Sequence, residues 1–267
     1  MTTSTTQGTA LVTGASSGIG AIYADRLARR GHDLILVARN ESRLRELAAR
    51  LEAAHGRKVR VVPADLGDRA GQQRIEAILR EDASIDTLVN NAGFGLAAPL
   101  LQADIERMEQ MIDLNVTSLT RLTHAAAAGF VARGKGTIIN ISSIVAINTE
   151  VLNGVYSGSK AYVLALTQSL HHELAEKGVR VQAVLPGPTA TEFWGVAGLD
   201  PANLPEGWVM RAEDMVDASL AGLDQGEVVT IPPLQDGQDW LSYDAQRREL
   251  SQRLANRKPG PRYGVGA

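Results

Sequence analysis

The sequence predicts a doubly wound α/β fold, a parallel sheet of about seven strands with helices on both faces. Short β-branched runs alternate with longer segments of helical apolar rhythm along most of the 267 residues. The short runs are continuously apolar instead of alternating, as expected for parallel strands covered on both sides. No linker, low-complexity block or solenoid period interrupts the alternation, so a single domain is expected over residues 9–250.

The elements follow in order. Residues 9–14 (TALVTG), 33–39 (DLILVAR), 58–65 (KVRVVPAD) and 85–93 (IDTLVNNAG) read as the first four strands. Residues 136–143 (GTIINISS), 179–187 (VRVQAVLPG) and 226–233 (GEVVTIPP) read as the last three. Helical patterns fill residues 19–30, 42–54, 71–81, 105–132 and 155–176, giving repeated βαβ units. Residues 1–8 (MTTSTTQG) read as a disordered leader without the basic and apolar regions of a secretory signal. Residues 251–267 contain Arg, Pro and Gly in an irregular C-terminal tail.

Composition removes several function classes. Apolar residues make up 44 % and charged residues 21 %, and the net charge is -3, which offers neither nucleic acid nor an anionic membrane a basic surface. No apolar run approaches the ~20 residues of a membrane span. The absence of cysteine excludes disulfides, thiolate nucleophiles and cysteine metal sites and is compatible with a cytoplasmic protein. His171 and His172 lack the clustered partners of a metal site, so no metal is expected.

In doubly wound sheets ligands bind outside the carboxyl ends of the strands, and the residues there are suggestive. After the first strand comes TGASSGIG, where Gly14, Ser16, Ser17, Gly18, Ile19 and Gly20 form a strand–turn–helix anion site. Gly14 allows the tight turn, Gly18 a close approach of phosphate, and Gly20 close packing of the helix. The second strand ends in Ala38-Arg39 where an NAD site places a carboxylate. Arg39 suits a 2′-phosphate, hence NADP(H) over NAD(H), or it is a solvated strand cap. Asp65 and Leu66 end the third strand, and Asn91, Ala92 and Gly93 the fourth; these suit adenine and ribose contacts or serve as plain turn residues. On the helix at 155–176, Tyr156 and Lys160 stand four apart on one face, roughly 5–6 Å apart at Cβ.

TGASSGIG, NNAG at 90–93, Asn115 in DLNVTS, Ser143 in NISS, YSGSK at 156–160 and PGPTAT at 186–191 occur in one order and spacing. In these motifs the chain resembles the short-chain dehydrogenase/reductase family, in its single-domain branch of roughly 250 residues, over about residues 9–195. The resemblance implies a Rossmann-type fold and hydride transfer between a nicotinamide and a carbonyl or secondary alcohol. It implies catalytic roles for Asn115, Ser143, Tyr156 and Lys160, with Tyr156 as acid/base and Ser143, favoured over its rival Ser142, sharing charge on the substrate oxygen. Lys160 would also hold the nicotinamide ribose, and Asn115, unless it is a helix N-cap, would place a relay water. Pro186, Gly187 and Thr189 or Thr191 would meet the carboxamide or phosphate end of the cofactor, or cap a helix. A phenol of ordinary pKa near ~10 is a poor acid at neutral pH. The ammonium and the nicotinamide charge are therefore expected to lower it by ~2–3, worth roughly 3–4 kcal/mol.

Residues 193–210 hold two tryptophans and two prolines without regular period, which reads as a lid over residues 190–212 or as a satellite core under a loop. Phe193, Trp194, Val145 and Ser143 are the expected substrate wall, suited to a neutral apolar ketone. Two other functions fit the motifs less well: a 3-oxoacyl-carrier-protein reductase, with Arg121, Arg133 and Lys135 as docking cations, and a non-catalytic NADP(H) sensor. By family analogy the long helices would pair across two-fold axes into a homodimer or homotetramer.

Overall fold

The computed structural model describes residues 7–198 and 207–265, without the side chains of Trp194 and Val196. Most of the expected leader, residues 199–206 of the expected lid, Trp194 as a substrate wall and the last two tail residues therefore lie outside the described residues. The chain divides into two compact units, one ending at Pro233 and the other beginning at Leu234.

The first unit contains a seven-stranded, all-parallel sheet in the order β3-β2-β1-β4-β5-β6-β7. The strands are β1 (Thr9–Thr13), β2 (Asp33–Ala38), β3 (Val59–Pro63), β4 (Ile85–Asn90), β5 (Gly136–Ile141), β6 (Val179–Val184) and a two-residue β7 (Val229–Thr230). The helices between them are α1 (Gly18–Arg29), α2 (Glu41–His55), α3 (Arg69–Glu81), α4 (Ile105–Ile112), α5 (Leu119–Ala132), α6 (Gly154–Leu174), α7 (Phe193–Ala197) and α8 (Ala212–Asp224). Successive side chains of a strand face opposite ways. On β1, Ala10 and Val12 join a core with Tyr23 and Leu27 of α1, Leu44 and Leu47 of α2, and Met215 and Leu220 of α8. Leu11 joins the opposite core with Ile75 and Leu79 of α3 and Leu122 and Phe130 of α5. Helices thus cover both faces, which is why the strands carry no polar face.

Two expectations change. The pattern over 105–132 is not one helix: a π-helical segment, Asp113–Ser118, separates α4 from α5. The segment 212–224, which the strand reading passed over, is α8, and it buries Met215, Val216, Ser219 and Leu220.

A polar ladder crosses the core. Paired Asn90 and Asn140 on neighbouring strands share a hydrogen bond from Asn90 Nδ2 to Asn140 Oδ1 (2.9 Å), and Asn140 Nδ2 donates to Thr167 on α6 (3.0 Å). Buried amides so placed need partners to offset desolvation, and these fix the register of β4, β5 and α6.

The second unit consists of α9 (Gly237–Gln252) followed by a short 3-10 turn, Pro261–Tyr263. Asp236 caps α9 by accepting from Gln238 N (2.8 Å). Asp244 accepts from Arg247 and Arg248 one turn on (2.8 and 2.7 Å), so the helix carries its own charge pairs.

Candidate active site

The carboxyl ends of β1 to β6 open into one cleft of about 580 Å³. Strand order makes it: the chain leaves β1 toward β3 and returns to β4 on the other side, so the loops after β1 and β4 diverge and leave a crevice.

One half is a cradle of backbone. Gly14 and Gly18 have φ of 65° and 52°, which favour glycine. A Cβ on Gly14 would lie 2.7 Å from Asn91 Nδ2, and one on Gly18 would lie 3.3 Å from Thr191. The Asn91 amide donates to the carbonyls of Thr13 (2.9 Å) and Gly14 (3.2 Å), so it locks the turn. Ser16, Ser17 and Ile19 line the same wall, at the N-terminus of α1. Such a turn, bare of side chains and backed by a helix N-terminus, fits a diphosphate. Gly20 does not line the cleft: a Cβ there would lie 2.4 Å from the Gly14 carbonyl oxygen, so this glycine packs α1 behind the turn.

The neighbouring strand ends continue the wall. Arg39 reaches the cleft 80 % exposed, with its Nη1 3.9 Å from Asp65 Oδ2. Asp65 Oδ1 accepts from Gly67 N (2.8 Å), an Asx turn as in the plainer of the two readings of that residue. Leu66, Ala92 and Gly93 also line the cleft. Arg43, Asn40 and Glu192 stand at its mouth and were missed by sequence reasoning. The spacing of Arg39 and Arg43, four apart across the start of a helix, was the available signal.

The other half gathers the polar and titratable groups. Tyr156 and Lys160, 5 % and 7 % exposed, project from α6, with Lys160 Nζ 5.8 Å from the phenol ring centre. Nζ donates to the Ile141 carbonyl (3.0 Å). Ser143 lines the cleft beside Tyr156, its hydroxyl accepting from Val145 N (3.3 Å) and donating to the Pro186 carbonyl (3.5 Å). Ser142, the alternative serine, also lines the cleft, and its hydroxyl donates to the Lys160 carbonyl (2.7 Å). Among the protein's own groups, burial outweighs the one lowering influence on the phenol, that of Ser143. Burial pushes Tyr156 up to about 12 against the relief from Ser143, and burial brings Lys160 down to about 8. The low-dielectric surroundings favour the uncharged form of each.

Asn115 lies in the π segment, not near the start of a helix; Asp104 caps α4 instead, accepting from Glu106 N (3.0 Å). Its side chain pairs with the Phe94 backbone in both directions, accepting from N (3.1 Å) and donating to O (2.9 Å), and also donates to Ser159 Oγ (3.2 Å). This grip on the β4–α4 loop accompanies the break between α4 and α5. Asn115 is buried behind the cleft, and a Cβ on Gly93 would sit 2.8 Å from its Oδ1 and 3.6 Å from Lys160 Nζ.

Pro186 and Gly187 line the cleft after β6. The Thr189 hydroxyl donates to the Gly187 carbonyl (3.0 Å), and Thr191 Oγ1 accepts from Phe193 N (3.3 Å) at the start of α7. Both threonines line the cleft while bracing the loop. The Phe193 ring is 6.0 Å from that of Tyr156 and, with Val145, Leu152 and Trp208, forms an apolar wall. Among the described residues no His, Asp and Glu cluster could hold a metal, and no helix is long and apolar enough to cross a membrane.

The sequence profile described as short chain dehydrogenase matches residues 8–200. The chain belongs to the short-chain dehydrogenase/reductase family. A short-chain dehydrogenase from Sphingobium yanoikuyae, solved in complex with NADPH, is 47 % identical with a TM-score of 0.92, covering 95 % of this chain and 98 % of that one. A bulky-bulky ketone specific alcohol dehydrogenase from Comamonas testosteroni is 42 % identical with a TM-score of 0.89, covering 97 % and 99 %. A very-long-chain 3-oxoacyl-CoA reductase from Anas platyrhynchos is 37 % identical over 189 residues, 69 % of this chain and 60 % of that one. This short-chain dehydrogenase/reductase is therefore an oxidoreductase that uses a nicotinamide cofactor of the NAD(P) type, and the glycine cradle fits its diphosphate.

Proposed function

We propose that this enzyme is an NADP(H)-dependent reductase of apolar ketones, and in reverse a dehydrogenase of secondary alcohols, with Tyr156 as its acid/base. The observation that carries this is the gathering of Ser143, Tyr156 and buried Lys160 in one cleft, with Lys160 Nζ 5.8 Å from the Tyr156 ring centre. A bound dihydronicotinamide supplies the hydride. Ser143 and Tyr156 converge on one substrate oxygen, where charge grows during reduction. The phenol held at about 12 is protonated at neutral pH, the form that gives its proton to that oxygen. The Lys160 ammonium would hold the ribose hydroxyls of a bound cofactor and would stabilise the phenolate left behind. Because the Asn115 side chain is committed to Phe94, a relay water is assigned to its backbone carbonyl, at a π segment where the regular ladder is broken.

Arg39, with no carboxylate in its own strand end, supports the choice of NADP(H), as does the NADPH complex of the Sphingobium relative. The apolar wall of Val145, Leu152, Phe193 and Trp208 carries no ionised side chain, which supports neutral ketones. The description of the Comamonas relative points to ketones with two large substituents. The cations weighed for carrier-protein docking each have a partner of their own, which supports the ketone reading over it. Arg121 is paired with buried Glu76, Arg133 donates to the Ile85 carbonyl (2.7 Å) and Lys135 lies 3.0 Å from Asp86.

The test is oxidation of NADPH and NADH against a panel of aryl and branched ketones. Turnover with NADPH is expected to fall about 10³-fold in Tyr156→Phe, and the NADPH preference to collapse in Arg39→Ala. Full activity of Tyr156→Phe, or equal use of both cofactors by the parent enzyme, refutes the corresponding part of the proposal.

A further inference from the structure

The mouth of the cleft holds an ion pair with no part in the chemistry above. Arg43 Nη1 lies 2.7 Å from Glu192 Oε2, with side chains 48 % and 64 % exposed. Arg43 sits in the first turn of α2, where Asn40 caps the helix through the Arg43 N–H (3.0 Å). It is four residues from Arg39, and both arginines line the cleft. Glu192 belongs to the loop between β6 and α7, whose Thr191 abuts Gly18 of the glycine turn. That loop therefore touches both the diphosphate cradle and α2.

We infer that Arg43 is a second arginine for the cofactor's 2′-phosphate, and that Glu192 competes with the phosphate for it. This rests on the NADP(H) reading and extends it. A carboxylate and a phosphate present the same kind of oxygen pair to a guanidinium, and the phosphate carries more charge. An exposed ion pair is weak and readily exchanged. A ribose hydroxyl, all that NADH offers there, cannot compete with a carboxylate for a guanidinium. Glu192 thus lowers the affinity for NADPH while leaving NADH alone, and NADPH binding frees the loop that leads into α7 and Phe193.

The experiment measures dissociation constants of NADPH and NADH for the parent enzyme, Glu192→Gln, Arg43→Ala, the double variant and Arg39→Ala, at low and high salt. Both positions are exposed, and thermal unfolding checks that each variant is folded. Glu192→Gln is expected to tighten NADPH about two- to fivefold and leave NADH unchanged, with the gain shrinking at high salt. Arg43→Ala is expected to weaken NADPH about tenfold, and in the double variant the effect of Glu192→Gln disappears. An unchanged NADPH constant in Glu192→Gln, or equal shifts for both cofactors, overturns the inference and makes the pair a simple clasp. If Arg39→Ala still loses NADPH preference in that case, the NADP(H) reading survives alone. Equal affinity of the parent enzyme for both cofactors overturns both.

Discussion

Replacing Lys160 with methionine should stabilise the cofactor-free protein while abolishing its activity. Lys160 is 7 % exposed, and burial brings its ammonium from 10.5 to about 8. Where both folded and unfolded chains are protonated, below pH 8, that difference costs roughly 3 kcal/mol of stability. Methionine fills a similar volume without the charge. It forfeits the hydrogen bond to the Ile141 carbonyl, worth about 1 kcal/mol. The expected gain at pH 7 is therefore about 2 kcal/mol, or about 4–8 °C in Tm. The sign of the pH dependence follows from the depressed pKa. Between pH 8 and 10.5 the unfolded chain binds the proton that the folded one has lost, so parent stability rises with pH and the variant's advantage shrinks. Urea unfolding of both proteins from pH 6.5 to 9.5 measures this. A variant less stable than the parent at pH 7, or a difference constant across that range, would refute the claim that the active-site lysine is held at a desolvation cost.

Two further substitutions probe the frame. Gly14→Ala places a methyl 2.7 Å from Asn91 Nδ2 at a φ of 65°, and should cost about 2–3 kcal/mol in urea unfolding and weaken either cofactor; unchanged stability would mean that the Asn91 lock is dispensable. Asn140→Leu removes the ladder bonds to Asn90 and Thr167 from a fully buried position and should cost about 2–4 kcal/mol. A loss below about 0.5 kcal/mol, the scatter of a neutral substitution, would show that the amide ladder does not set the register.

The strands and the glycine turn were legible because their signals are local. A continuous apolar run needs cover on both faces, and Gly14 and Gly18 stand where the backbone turns through positive φ. The motif residues Ser143, Tyr156 and Lys160 lie after β5 and on α6 and line one cleft. Arg43 and Glu192 were not legible, because 149 residues separate partners that meet only when α2 and the β6–α7 loop share one cleft mouth. The break at Asn115 was hidden for a similar reason: α4 and α5 share one apolar rhythm, and the bond that accompanies the break is to Phe94, 21 residues away. The partners of Arg121, Arg133 and Lys135 (Glu76, the Ile85 carbonyl and Asp86) likewise lie on other elements.

By itself the sequence determined the class of fold, the position of the cofactor cradle and the residue types that meet there, since these depend on apolar period, turn chemistry and motif order. Only the tertiary structure decided the electrostatics of the site. A tyrosine four residues from a lysine reads as an acidified phenol. Inside the fold the ammonium turns to the Ile141 carbonyl, and burial holds both groups toward neutrality. Spacing along a helix says which side chains are neighbours; the solvent that packing takes away from them sets their charge.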